Sequence, residues 1–235
     1  MSDWPHEINQ DSFRREWNFE RENFWHAVFE MHKDKMQIKN AKVAISNLEK
    51  IFTATFALVH VKGFQAMSLR DLSRETGISM GGLYSYIGSK NGLASMIEGV
   101  LSKYVVDVGS KLDSAQLEPV ECLKAIIFGE AFMMEALNSW YYFCFMELKG
   151  LPKEQQENVL DLELKFEDIL ISIFRSGTDS GQFQCHQPEL LASQITSMLQ
   201  QVHLKQWKLK LRRVSTEDYA QFILDTVLIN LRYQA

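Results

Sequence analysis

The stretch Ser68-Leu-Arg-Asp-Leu-Ser-Arg-Glu-Thr-Gly-Ile-Ser-Met-Gly-Gly-Leu-Tyr-Ser-Tyr-Ile87 constrains the fold of this chain more than any other. It reads as two short helices joined by a tight turn. Ser68 is placed to cap the first helix through the amide of Arg70 or Asp71, and Asp71 favours the positive end of the helix dipole. Leu69 and Leu72 point inward, while Arg70 and Arg74 share another face four residues apart. Gly77 ends the helix, because glycine enters the left-handed region without a steric cost. Ile78 is the buried residue of the turn, and Ser79 caps the second helix. Leu83 and Ile87 bury the inner face of that helix. Met80, Gly81, Gly82, Tyr84 and Ser85 are left facing outward, with no charge among them. This is the layout of a helix-turn-helix element whose second helix enters a DNA major groove.

The outward residues suit that task. Two adjacent glycines cost about 1 kcal/mol each in a helix relative to alanine, and they let a backbone come close to a duplex. Met80 can lie on a thymine methyl, Ser85 can bond a base edge, and Tyr84 can give its hydroxyl to a phosphate.

The run Gly77-Ile-Ser-Met-Gly-Gly-Leu-Tyr-Ser-Tyr-Ile-Gly-Ser-Lys-Asn-Gly-Leu93 resembles the signature of the TetR family of regulators. Upstream, Ile51-Phe-Thr-Ala54, Leu58-Val59 and Gly63-Phe64 are similar to that family's first helix and its terminating glycine-aromatic pair. The resemblance spans roughly residues 41–101. Two departures are visible: Ile87 stands where Phe is usual, and Met80 where a polar base reader is common. The resemblance implies that Tyr84 and Lys90 hold phosphates and that Ser68 and Arg70 touch the backbone at the head of their helix. It further implies that Met80, Gly81, Gly82 and Ser85 face the bases. With Ser79, these make up the expected DNA-binding set.

The net charge of −5 does not by itself suggest a nucleic-acid partner, but its distribution does. Between Lys39 and Gly92 seven bases (Lys39, Lys42, Lys50, Lys62, Arg70, Arg74, Lys90) face three acids (Glu49, Asp71, Glu75), a local +4 that leaves −9 for the remainder. A basic face on an acidic protein is an electrostatic footprint for DNA.

Only four prolines occur in 235 residues, and helical spacing dominates. The expected fold is all-α: an N-terminal three-helix helix-turn-helix DNA-binding domain at 40–90, and a larger C-terminal helical domain at 91–235 for ligand binding and dimerisation. Residues 1–39 are an extension in which Phe13, Trp17, Phe24 and Val28 follow helical spacing, so an amphipathic helix is expected there. The first helix of the reader should span about 41–62 and stop before Gly63. A fourth should start near Asn91 and run towards Ser110, with Leu93, Ile97 and Leu101 as its buried stripe. Pro119 opens a further helix, Gly150-Leu-Pro152 breaks the chain, and a long helix follows over about 154–177. Gly177 and Gly181 frame a loop, and Pro188 opens the last part.

Two features of the C-terminal domain suggest sites. Phe128, Phe132, Met133, Trp140, Tyr141 and Phe145 form an aromatic-methionine stretch suited to the wall of a lipophilic pocket. Glu130, Glu135 and Glu147 lie on the same stretch. Leu191, Ile195, Met198 and Val202 on one helix, and Ile223, Val227 and Leu231 on another, read as a dimer seam. The last helix also carries a second apolar face, Phe222, Ile229 and Tyr233, and a helix apolar on both faces must be covered on both.

What the sequence lacks sets further expectations. The histidines are dispersed, and no nucleophile-histidine set, metal spacing or phosphate loop occurs, so neither an enzyme nor a cofactor is expected. Cys122, Cys144 and Cys185 are an odd, scattered set without metal spacing, which fits a reducing cytoplasm. No run of ~18 apolar residues suggests a membrane span. The reading is a cytoplasmic homodimeric regulator, TetR-like, most simply a repressor. It would leave a palindromic double-stranded operator when a small lipophilic effector binds. The alternative is a DNA-binding architectural factor or activator without a small ligand.

Overall fold

The computed structural model describes residues 4–17, 19, 21–38 and 40–233, Arg21 by its backbone alone. Among these residues the chain is helical with no strand. In order the helices are α1 (Gln10–Glu16), α2 (Arg21–His32), α3 (Ala41–Ala66), α4 (Leu69–Thr76), α5 (Met80–Ile87), α6 (Lys90–Ala115), α7 (Pro119–Ala136), α8 (Asn138–Tyr141), α9 (Lys153–Asp179), α10 (Pro188–Leu199), α11 (Gln201–Leu204), α12 (Gln206–Arg212) and α13 (Thr216–Asn230). A π-helical turn, Tyr142–Met146, follows α8. The chain packs as two compact units. One comprises 18–103 and 139–160, the other 1–17, 104–138 and 161–235.

The first unit is built on α3. Ala44, Leu48, Ile51, Phe52, Thr55 and Val59 form its buried stripe, and α2 and α4 both pack against this helix. At Gly63 the backbone leaves helical geometry with φ 75°, so α3 kinks there instead of running straight on to Ala66. Leu93, Ile97 and Leu101 of α6 are buried as expected, with Met96 and Val100 beside them. In the second unit α7 is buried without interruption from Ala125 to Met134, and α13 packs along it.

Three local expectations are corrected. Residues 1–39 do not form one helix. Phe13 lies on α1 and Phe24 and Val28 on α2, each helix in a different unit, and Trp17 already has non-helical dihedrals. Gly177 is not in a loop but inside α9, where a Cβ would overlap the Phe183 ring; the chain turns instead at Gly181, with φ 77°. The helix opened by Pro188 ends at Leu199, and Val202 sits on the separate short α11.

Each unit encloses one histidine. His32 lies beside Gly99, and burial pulls its pKa from the ordinary 6.5 to about 4. Burial lowers His203 in the other unit to about 4 as well. Between these values the unfolded chain holds the extra protons. The stabilisation is therefore complete above pH 6.5 and is lost as pH falls towards 4, by on the order of 2 kcal/mol per histidine at pH 5. Urea denaturation should thus give a lower unfolding free energy at pH 5 than at pH 7.5. His32→Asn should flatten part of that slope, whereas a stability equal at both pH values would contradict neutral burial.

Candidate functional site

The helix-turn-helix forms as its local chemistry dictates. Ser68 Oγ accepts from the Asp71 amide at 3.2 Å, and Asp71 Oδ2 accepts from the Ser68 amide at 3.0 Å, a reciprocal cap on α4. Hydrogen bonds from Ser68, with Lys62 nearby, hold the Asp71 carboxyl well below the usual carboxylate range. Gly77 closes α4 in the left-handed conformation at φ 70°. Two side chains that sequence reading missed latch the turn: Ser73 Oγ donates to the Ile78 carbonyl at 2.6 Å, and Thr76 Oγ1 accepts from the Ile78 amide at 3.2 Å. Ile78 itself is half-buried. Ser79 Oγ caps α5 by accepting from Gly82 N at 3.1 Å.

Leu83, Tyr86 and Ile87 bury the inner face of α5. Tyr86 was not anticipated; its hydroxyl accepts from Asn47 Nδ2 of α3 at 2.8 Å, which fixes the rotation of the helix. A second unanticipated tie comes from the N-terminal extension: the Gln37 amide donates to the Ser85 carbonyl at 3.0 Å. Both ties are between residues far apart in sequence, and neither belongs to a local motif.

On the outer face Tyr84 is 50% exposed and Gly81 is open, with nothing within 4 Å of the position a Cβ would take. Met80 and Ser85 are half-buried, and Ser85 Oγ donates back to the Gly81 carbonyl at 3.0 Å. Gly82 differs from its neighbour. A Cβ there would stand 2.9 Å from Ile78 Cγ2 and 3.3 Å from Ser79 Oγ, so the turn itself dictates this glycine. Ser68, Arg70 and Ser79 are exposed at the heads of their helices.

The basic face is thinner than the residue count suggests. Lys62 and Arg74 both pair with Asp71, at 3.1 and 2.8 Å. Lys90 Nζ donates to the Gln65 carbonyl at 2.9 Å and lies 4.6 Å from the Phe64 ring centroid, and burial lowers its pKa. An ammonium has three donors, so the bond to the Gln65 carbonyl does not by itself exhaust its capacity to meet a phosphate. Arg70, Lys42 and Lys50 are exposed, and Lys39 lies outside the described residues.

The six residues read as one pocket wall are divided. Phe128, Phe132 and Met133 belong to the second unit, where Phe132 packs on Phe13 of the extension at 5.6 Å between ring centroids. Trp140, Tyr141 and Phe145 belong to the first. Trp140 is enclosed by Phe24, Trp25, Phe52 and Phe56, and Tyr141 stacks on Phe145. Of the three glutamates, Glu147 accepts from the Phe64 amide at 2.8 Å beside the Gly63 kink, Glu135 accepts from Gln10 at 2.8 Å, and Glu130 is buried. A void of about 10 Å³ lies among Tyr104, Val108, Ile126, Met133, Phe166 and Ile169.

The dimer seam is also corrected. Ile195, Val202, Ile223, Val227 and Leu231 are buried within the single chain and have no surface to offer a partner; Leu191 and Met198 are half-buried. The exposed apolar residues here are Leu190, Phe222 and Ile229.

No helix among the described residues is long and apolar enough to cross a membrane, and no cluster there could hold a metal ion. The three cysteines are unpaired.

Comparison with known proteins agrees with this geometry. Residues 51–97 match the family model for bacterial regulatory proteins of the tetR family, and residues 117–229 match the tetracyclin repressor-like C-terminal domain. The HTH-type transcriptional regulator HbdR of Aromatoleum sp. (strain CIB) is 21% identical over 80% of this chain and 81% of its own. A tetR-family regulatory protein from Rhodococcus RHA1 superposes with a TM-score of 0.70 at 17% identity, over 80% of this chain and 98% of that one. FadR of Bacillus subtilis, solved in complex with stearoyl-CoA, superposes with a TM-score of 0.60 at 15% identity, over 77% and 97%. With a capped helix-turn-helix in the matched N-terminal region and a helical unit across the matched C-terminal one, the chain belongs to the TetR family of bacterial transcriptional regulators.

Proposed function

We propose that the protein is a homodimeric repressor that holds a palindromic operator and releases it when a small lipophilic effector binds. The observation that carries the DNA part is α5, an uncharged helix whose Tyr84 and Gly81 are open to solvent while its inner face is locked to α3. Met80, Tyr84 and the Gly81 backbone would meet the groove, with Ser68, Arg70 and Lys90 on phosphates. The stearoyl-CoA bound to the structurally similar FadR supports a lipophilic effector.

The dimer is re-drawn on the face that one copy leaves bare. Phe222 and Ile229 lie seven residues apart on α13 and are 61% and 78% exposed, and Leu190 is exposed on the neighbouring α10. Apolar residues at that spacing suit helix-on-helix packing against a second copy. Phe222→Asp with Ile229→Asp should give monomers in sedimentation velocity; a dimer that persists would exclude this face.

The two glycines of α5 should respond in opposite ways. Gly81→Ala should raise stability by about 1 kcal/mol through helix propensity, and should weaken operator binding about tenfold by placing a methyl against the groove. Gly82→Ala should cost about 1–3 kcal/mol, because its Cβ meets the stiff Ile78 side chain. Thermal melts and fluorescence anisotropy on the same samples separate the two. Equal behaviour would reject the division of roles.

The whole reading is tested by selection from a random duplex library with the full chain. The expected outcome is a palindrome whose half-sites are about one helical turn apart. Failure to enrich any sequence would remove the regulator mechanism. A ligand-free regulator is a second reading, because the aromatic stretch is filled by the chain's own rings, Phe13 on Phe132 and Phe52 on Trp140. It would be favoured if no lipophile, stearoyl-CoA included, shifts the melting temperature.

A further inference from the structure

We propose that the N-terminal segment 4–17 is the resident occupant of the effector site. The effector would be a flat aromatic molecule with a hydrogen-bond donor, and it would bind by displacing this segment from α7. The inference rests on the effector-responsive reading above and names its ligand class and site.

The segment lies outside both regions that match the family models, which begin at residue 51. Yet its rings are among the most deeply enclosed in the molecule: Trp4 is 1% exposed and Phe13 0%. They sit over a notch in α7. At Gly129 an added Cβ would come 3.2 Å from Trp4 Cζ2 and 3.5 Å from Phe13 Cε2, so the missing side chain makes the space the rings fill. Phe132 forms one side, 5.6 Å from Phe13. Trp4 and Trp17 close into an edge-on cluster at 5.7 Å, and Trp17 in turn stands edge-on to Tyr104 at 5.8 Å. Tyr104 also lines the void of about 10 Å³. A ligand that widens this void therefore presses on the ring that carries Trp17.

Polar contacts accompany the ring contacts. Gln10 Nε2 donates to Glu135 at 2.8 Å, Lys111 pairs with Glu16 at 2.6 Å, and the Tyr104 hydroxyl donates to the Trp17 carbonyl at 3.4 Å. Trp17 Nε1 is enclosed without a hydrogen-bond partner among the described residues, a cost that an apolar occupant would not carry. The helix α1 has seven residues, too few to persist away from the surface it covers. Its order comes from the contact, and a competitor for the contact releases it. The site it would vacate is shaped by aromatic rings set edge-on and tilted to one another, with Phe132 and Tyr104 on its sides and Glu135 as an acceptor at the edge. That combination selects a planar aromatic donor over an unbranched acyl chain.

The test uses the full chain and N-phenyl-1-naphthylamine, a neutral aromatic amine, with decanoic acid as the acyl comparison. In hydrogen exchange, saturating N-phenyl-1-naphthylamine should speed the amides of residues 12–17 at least tenfold while 125–133 stay protected. Trp4→Ala with Phe13→Ala, checked by a cooperative melt, should bind the probe at least tenfold tighter than the native chain. Probe binding that leaves 12–17 protected overturns the proposal, and so does absence of binding to both proteins. Binding to the variant alone supports it. If the variant does not fold, exchange in the native chain decides. Decanoic acid releasing 12–17 where the aromatic probe does not would overturn the ligand class. Operator affinity measured alongside separates the two levels. Release of 12–17 without loss of operator keeps the resident segment and removes effector control. Loss of operator with 12–17 still protected does the reverse.

Discussion

Gly92→Ala is expected to weaken operator binding by at least about 100-fold, although residue 92 is not among the base-facing positions. Gly92 is the third residue of α6, and a Cβ there would overlap the carbonyl oxygen of Ile87, the last residue of α5. That oxygen already accepts from the Ser89 amide at 2.6 Å, and Ser89 Oγ accepts from Gly92 N at 2.9 Å. Gly88 between the helices turns with φ 64°. The joint is made of backbone, so no flexible side chain can yield. The helices must part, and α5 loses the seat that aims its outer face. Overpacking of this kind costs about 1–3 kcal/mol, and misplacing the reading helix should lower operator affinity by at least about 100-fold. Anisotropy with a selected operator and a thermal melt give both numbers. Native affinity in Gly92→Ala would mean that the α5–α6 joint does not position the reader.

The second large effect is expected at Trp140→Ala. This indole stacks on Phe52 of α3 at 4.8 Å, with Phe56 at 5.1 Å and Phe24 at 5.8 Å edge-on. Only 5% of it is exposed. Truncating so large a buried ring should cost about 3–5 kcal/mol in unfolding free energy, from lost burial together with the cavity left behind. Because α3 is the scaffold on which α4 packs and to which Tyr86 of α5 is bonded, operator affinity should fall with stability. Trp140→Phe should recover more than half of the loss. If Trp140→Ala leaves the melt unchanged and only alters the response to lipophiles, the residue is a pocket wall and not part of the reader's core.

The reader was legible because its determinants are local. A capping serine, a left-handed glycine, a second cap and apolar residues at three- and four-residue spacing all act within one turn of themselves. What ties the reader down was not legible, because Asn47–Tyr86, Gln37–Ser85 and Glu147–Phe64 join positions that no sequence spacing connects. The same limit governs the aromatic stretch. Its composition announced burial, but not that Phe132 would meet Phe13 while Trp140 met Phe52 in a different unit. On α13 two apolar faces were visible, and nothing in their composition told which one α7 would cover. Packing selected Ile223 and Val227 for the interior and left Phe222 and Ile229 outside. In the extension the aromatic spacing runs across a break between two helices, so what looks like one stripe in the sequence is two short ones that dock separately.

In the proposed complex the outer face of α5 lies against duplex DNA. Photo-crosslinking addresses it most directly, with p-benzoylphenylalanine in place of Tyr84 and a selected operator duplex. Crosslinks to the operator should form at residue 84 and not at Leu164, an exposed residue of α9 in the second unit. Equal crosslinking at both positions, or none at residue 84 while the operator remains bound, would contradict it.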